Sequence, residues 1–272
     1  MGKRIFLDKL FVIFSLVFSF IVIFVLVWIL KDVLIFGIKS INLDFFLEDP
    51  RPPGVEGGGL RNAVLGSLII TSIAIIISFP IALLSAVYIN EYNHKISNIV
   101  RFLSDIMLSV PSIVIGAYAY ALFVKPFKTF SAISGSIALA IISIPIILRM
   151  VDELIRLVPD ATKEAAYSLG SPKWKVITKI VLSYIKVGIL TSLILSFSRI
   201  FGETAPLLFT SFNNNMFEID ITKPMATLTV NIFVYAMSPY ESWHRLAWSA
   251  SFFIVIFVLL TSIISRILQK QH

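Results

Sequence analysis

From Phe11 to Leu30 the chain runs for 20 residues without a charge, and no other feature limits its folding so strongly. A helix rising about 1.5 Å per residue needs such a run to cross a hydrocarbon layer of roughly 30 Å. The run exceeds a signal-peptide core and no small-x-small cleavage site follows it, so it is expected to be retained as a first span. Further uncharged runs at Ala63 to Ile89, Ile106 to Val124, Thr129 to Leu148 and Leu246 to Ser265 predict four more spans. A fifth, roughly Tyr184 to Leu208, is apolar apart from Arg199 and Glu203. The expected fold class is an all-α polytopic membrane protein with six transmembrane helices. Pro80 is expected to kink the second span. Pro224 to Tyr240 is short for a span and contains Pro239, so it reads as an interfacial or re-entrant helix, which must be covered by protein.

The composition agrees: 57% hydrophobic, 14% charged and a mean hydropathy of +0.91 over 272 residues lie outside the range of soluble domains. The formal charge of +7 does not call for nucleic acid, because basic residues beside spans orient membrane proteins. With the N-terminus inside, 13 of the 23 lysines and arginines fall on the inner side and eight on the outer, four of those eight in the long first loop. Both termini are therefore expected in the cytoplasm. The chain divides into an N-terminal helix and loop, residues 1–62, and a core, residues 63–272. The loop contains Pro50 to Gly59, rich in turn formers. No phosphate-binding G-x-x-x-x-G-K-[ST] pattern occurs in the chain. With no cysteine, a thiolate site is excluded. His94, His244 and His272 have no metal-ligand spacing, which argues against a membrane enzyme; no catalytic or metal-ligating set is predicted.

Two polar features interrupt the apolar sequence. Between Pro159 and Trp174 lies a segment punctuated as a short surface helix, started by Pro159 and Asp160 and stopped by Gly170 in a left-handed turn. Ser171 is expected to cap the next helix, with Pro172 in its first position. The second feature is Ser198-Arg-Ile-Phe-Gly-Glu-Thr-Ala-Pro206, which places Arg199 and Glu203 one helical turn apart. They could pair across one helix face, or line a polar pathway, since charges within spans usually face protein or water. Gly202 and Pro206 beside them favour the pathway.

The spacing Glu164-Ala165-Ala166, three residues, Gly170, nine residues, Ile180-Val181-Leu182 resembles the EAA loop of ABC importer permeases, with Ser183 in place of the usual proline. Pro52-Pro-Gly-x-x-Gly-Gly-Gly59, Pro111-Ser-Ile-Val, Leu148-Arg-Met, Val158-Pro-Asp, Gly202-Glu-Thr-Ala-Pro-Leu-Leu-Phe-Thr210 and Ala236-Met-Ser-Pro extend the similarity. Together they look like the permease subunits of phosphate ABC importers, over nearly everything after the first span. The resemblance implies a type I ABC importer (MetI-like) permease fold with its coupling loop at 152–183, where Glu164, Ala165, Ala166 and Gly170 would meet an ATPase subunit. It implies inorganic phosphate as cargo, with Arg199, Glu203 and Arg149 on its pathway. The implied partners are a second permease of the PstC type, a cytoplasmic ABC ATPase dimer (PstB-like) and an extracytoplasmic phosphate-binding protein (PstS-like). ATP and Mg²⁺ would be bound by the ATPase, with no cofactor in this chain. A permease for sulfate or molybdate is the nearest alternative, because the coupling loop does not encode the cargo. A secondary transporter would leave the Glu164 loop without a role.

Overall fold

The computed structural model describes residues 2–92 and 95–270, with side chains from residue 8 onward. Lys3 and Arg4, counted above among the inner cations, and His94 and His272 fall outside the described side chains. Eleven principal helices occur among the described residues: α1 (Gly2–Ser40), α2 (Arg61–Glu91), α3 (Lys95–Ser109), α4 (Ser112–Phe127), α5 (Ala132–Arg156), α6 (Asp160–Ser168), α7 (Lys173–Tyr184), α8 (Lys186–Phe201), α9 (Ala205–Thr210), α10 (Leu228–Ala236) and α11 (Glu241–Lys270). Four of them, α1, α2, α5 and α11, are each long and apolar enough to cross a membrane. The bent pairs α3–α4 and α7–α8 bring the number to six if each pair is one span.

The bends correct two expected spans. The third was read as a run from Ile106 to Val124, and within it the chain turns by 102° between α3 and α4. Pro111 explains the turn: it has no N–H to continue the ladder, disfavours helical geometry at Val110, and sits extended at φ −56°, ψ 133°. Within α3, Ser97 and Ser104 are buried while Ile99, Phe102 and Leu103 are exposed. The polar face therefore meets the protein and the apolar face points away from it. The fifth span was read as one run over residues 184–208; instead α7 and α8 meet at Ile185 with a bend of 66°, and α8 stops at Phe201. Pro80, expected to kink α2, lies inside a helix that continues unbroken from Arg61 to Glu91.

Buried apolar side chains form three clusters along the bundle. One end gathers Phe45, Leu60, Phe201, Tyr235 and Leu246. The middle holds Ile70, Leu139, Ile200 and Leu207, and the other end Ile89, Ile147, Val151, Val181 and Ile185. Ser143 on α5 links Ser78 on α2 and Ser196 on α8, each Oγ pair 3.0 Å apart and all three residues fully buried. In an apolar bundle such hydrogen bonds hold helices in register. Helix α1 stands apart: none of its most apolar stretch is buried. It meets α11 near its C-terminal end, where Phe36 packs on Trp248 at 5.1 Å. The loop from Pro50 to Gly59 forms turns, as its composition required, and is tied to its own end of the bundle by Arg61–Asp49 at 2.8 Å and Arg245–Glu56 at 3.2 Å.

Candidate functional site

The segment from Pro159 to Trp174 leaves the bundle as expected. Pro159 takes extended geometry just before α6, and Asp160 is its first residue. The helix closes in a Schellman motif: Gly170 N–H donates to the Tyr167 carbonyl at 2.9 Å and Ser171 N–H to the Ala166 carbonyl at 3.1 Å, with Gly170 at φ 76°. The next helix starts one residue later than the sequence suggested. Pro172, extended at φ −69°, ψ 151°, occupies the N-cap position and Lys173 opens the helix, so Ser171 lies one residue too early to cap it. Glu164 and Ala165 are exposed, whereas Ala166 is buried against the chain itself. Leu169 is 87% exposed and Trp174 65%, so the tip carries apolar surface beyond the bundle end.

Arg199 and Glu203 do not form the ion pair that their spacing allowed. Helix α8 ends at Phe201, with Gly202 N–H donating to Arg199 O at 3.3 Å and Glu203 N–H to Ile200 O at 3.2 Å. Glu203 thus belongs to the connector between α8 and α9, where its carbonyl accepts from Thr229 Oγ1 at 2.8 Å. Pairing at i, i+4 needs an unbroken helix, and the helix is broken between the two. Arg199 is exposed in the last turn of α8 and has no ion-pair or hydrogen-bond partner among the described residues. The neighbouring Ser198 turns inward, donating to Thr261 Oγ1 at 2.7 Å. Gly202 has an ordinary backbone conformation (φ −88°, ψ 0°) and an added Cβ would meet only the Arg199 carbonyl at 3.6 Å, so the connector does not require glycine there. Pro206 is constrained: a Cβ on Gly116 of α4 would stand 2.7 Å from its Cα, so α9 packs backbone to backbone on α4.

Arg149 lies elsewhere. Helix α5 continues two turns past its apolar run, and there Arg149 pairs with Asp105 of α3 at 2.8 Å and with Glu153 at 3.4 Å. These residues line a cleft of about 200 Å³ with Arg101, Ser104, Leu148, Asp152 and Arg156. Three guanidiniums face three carboxylates there, so the cleft has no net charge to attract an anion. Asp152 is its centre: only 7% exposed, it accepts from Asn90 Nδ2 at 2.6 Å, Arg101 Nε at 3.3 Å and Arg156 at 3.0 Å. Buried carboxylates persist only when compensated in this way. The sequence reading missed Asp152; its one signal was Arg156 four residues later, the spacing of a helical ion pair.

At the end of the bundle away from this cleft, the loop between α9 and α10 carries its own polar cluster. The backbone N–H of Asp220, then the Lys223 ammonium, holds the Glu218 carboxyl below its usual range, and Thr222 does the same for Asp220. The Asn62 side chain fastens this loop to α2 through the Asn214 carbonyl at 2.6 Å.

A bundle with two bent spans and a short helix protruding from one end is the architecture of an importer permease, and residues 78–272 match the family described as binding-protein-dependent transport system inner membrane component. Among solved structures, an inward-facing MetNI methionine ABC transporter aligns with a TM-score of 0.61 at 17% identity, covering 76% of this chain and 91% of that one. An amino acid ABC transporter crystallised with histidines gives 0.56 at 18%, covering 76% and 92%. These establish a MetI-like type I importer fold. The phosphate transport system permease protein PstA of Yersinia pestis is 43% identical over 90% of this chain and 84% of its own length; that of Pasteurella multocida is 42% identical over 97% and 95%. The chain belongs to the PstA family of multi-pass transport permeases.

Proposed function

We propose that this chain is one of two permease subunits of an ATP-driven importer that moves inorganic phosphate into the cytoplasm by alternating access. Its partners are a PstC-like permease, a PstB-like ATPase dimer and a PstS-like phosphate-binding protein. ATP and Mg²⁺ belong to the ATPase subunits; this chain carries transport and coupling but no hydrolytic site. Both termini and α6 face the cytoplasm, following the excess of lysine and arginine on that side. Helix α6 docks on the ATPase through its exposed face, Glu164 and Ala165, and Gly170 sets the angle at which it leaves the bundle.

The observation that carries the phosphate reading is Arg199, exposed in the last turn of a membrane helix and without a partner among the described residues. An arginine in that setting needs protein or water to face, and the second permease supplies both across a shared pathway. Its planar fork can hold two oxygens of a phosphate, and the absence of a carboxylate partner leaves that fork free. Glu203, in the adjacent connector, repels a dianion, which keeps the site weak enough to release its cargo. Arg149, neutralised by Asp105 and Glu153, is a helix-positioning residue at the inner mouth in this conformation and enters the pathway only when those pairs open. Sulfate and molybdate permeases share the coupling loop, and the PstA relatives favour phosphate over them. Uptake of radiolabelled phosphate into proteoliposomes holding the complete complex and its binding protein tests the reading. Uptake should require ATP and resist a hundredfold excess of sulfate or molybdate; competition by either anion would overturn the cargo assignment.

A further inference from the structure

Four consecutive residues, the last three of α2 and its C-cap Tyr92, hold three other helices at this end of the bundle. The Ile89 carbonyl accepts from Arg101 of α3 at 2.9 Å. Asn90 donates to Asp152 of α5 at 2.6 Å. Glu91, whose side chain is 15% exposed, pairs with Lys173 of α7 at 3.2 Å. The Tyr92 carbonyl accepts from Ser97 Oγ, and its ring lies 4.4 Å beneath the Lys173 ammonium. Two of these ties bracket α6. Asp152 lies one turn before the end of α5, which leads into α6, and Lys173 opens the helix that follows it. Both flanks of the protruding helix are thus fastened to one turn of α2.

We infer that residues 89–92 are the joint through which displacement of α6 reaches the membrane bundle, with Glu91 and Asp152 as positioning residues. The inference rests on the reading of α6 as the ATPase-docking helix. If α6 moves as a rigid body, its flanks move with it, and largely buried carboxylates cannot release their cations without leaving uncompensated charge. The turn of α2 therefore follows. Helix α2 is 31 residues long, about 46 Å at the helical rise. Its far end carries Ser67, which accepts from the Leu228 N–H that opens α10 at 2.9 Å, and α10 in turn holds the Glu203 connector through Thr229. One rigid element thus joins the coupling helix to the loop beside Arg199.

The experiment uses the complete transporter with its phosphate-binding protein in proteoliposomes, and compares Glu91→Lys, Lys173→Glu and the double reversal. Each single variant should retain the ATPase subunits and basal hydrolysis but lose about tenfold of both phosphate uptake and binding-protein-stimulated hydrolysis, within the range of known coupling effects. The double reversal should recover most of both. Asp152→Asn, which removes charge but little volume, should uncouple in the same way. Normal stimulation in both single variants, or uncoupling that the double reversal does not repair, would overturn the joint. Loss of the ATPase subunits from the single variants would also overturn it, by making the turn part of the docking face. Gly170→Val in the same preparation keeps the two readings apart: normal assembly and stimulated hydrolysis there would remove the docking reading itself.

Discussion

The position of Arg199 changes what a substitution there should do. An arginine neutralised by a carboxylate one turn away could be replaced together with its partner at little cost. An exposed, unpaired guanidinium in a membrane segment, where insertion alone costs on the order of 2.5 to 3.5 kcal/mol, needs an occupant or solvent to face. Hydrogen bonds to a charged group contribute about 1.5 to 3 kcal/mol, roughly 10- to 100-fold in a rate that depends on them. Arg199→Gln should therefore lower phosphate uptake by at least tenfold while complex assembly and basal ATP hydrolysis stay intact. Arg199→Lys, with a point charge and no fork, should fall between. Glu203→Gln should assemble and lose uptake as well, because release would slow. Wild-type uptake by Arg199→Gln would withdraw the residue from the pathway. The identity of both residues was legible in the sequence, since charges are rare in such runs. Their relation was not, because the i, i+4 argument assumed a helix that Gly202 to Thr204 in fact interrupt.

Among the elements, α6 was legible from the proline and glycine that bound it, the bend at Pro111 was missed although a proline marks it, and breaks set by packing were not legible. Pro159 and Gly170 delimited α6 to within a residue, because each fixes a backbone geometry locally. The break at Ile185 has neither proline nor glycine and could not have been read, and α3 carries its polar face inward because Arg101 meets Asp152 of α5 and the Ile89 carbonyl of α2 while Ser97 meets the Tyr92 carbonyl. Helix α6 gives the sharpest element-level prediction. At φ 76° a branched side chain is strained by about 1 to 2 kcal/mol, although no neighbouring atom lies within 4 Å of an added Cβ. Gly170→Val should thus misdirect α6 without disturbing the membrane core: the chain inserts normally, and ATPase co-purification or substrate-stimulated hydrolysis falls. Gly170→Asn, which tolerates the left-handed region, should be close to wild type. Equal behaviour of the two variants would show that the angle of α6 has no part in coupling.

For the whole molecule, loops and helix ends sort into two groups. Asp49, Glu56, Arg61, Asn214 and Arg245 bond among themselves or to α2 at one end, while Glu91, Arg101, Asp152 and Lys173 do so at the other. If the bent pairs α3–α4 and α7–α8 each cross once, six crossings alternate between these groups and would return the C-terminus to the side of the N-terminus. Helix α10, nine residues long with five of them buried, is too short to cross, because about 14 Å of helix cannot span the hydrocarbon layer. Side assignment follows from the cation excess around α6. The native chain has no cysteine, so single cysteines can report it directly. Val55 and Met216, 46% and 77% exposed, suit the outer group, and Leu169 and Trp174, 87% and 65% exposed, the inner one. In intact cells an impermeant thiol reagent should label positions 55 and 216 and reach 169 and 174 only after permeabilisation. Labelling of position 169 in sealed cells would reverse the orientation, and labelling of 55 but not 216 would mean that one of the bent pairs crosses differently.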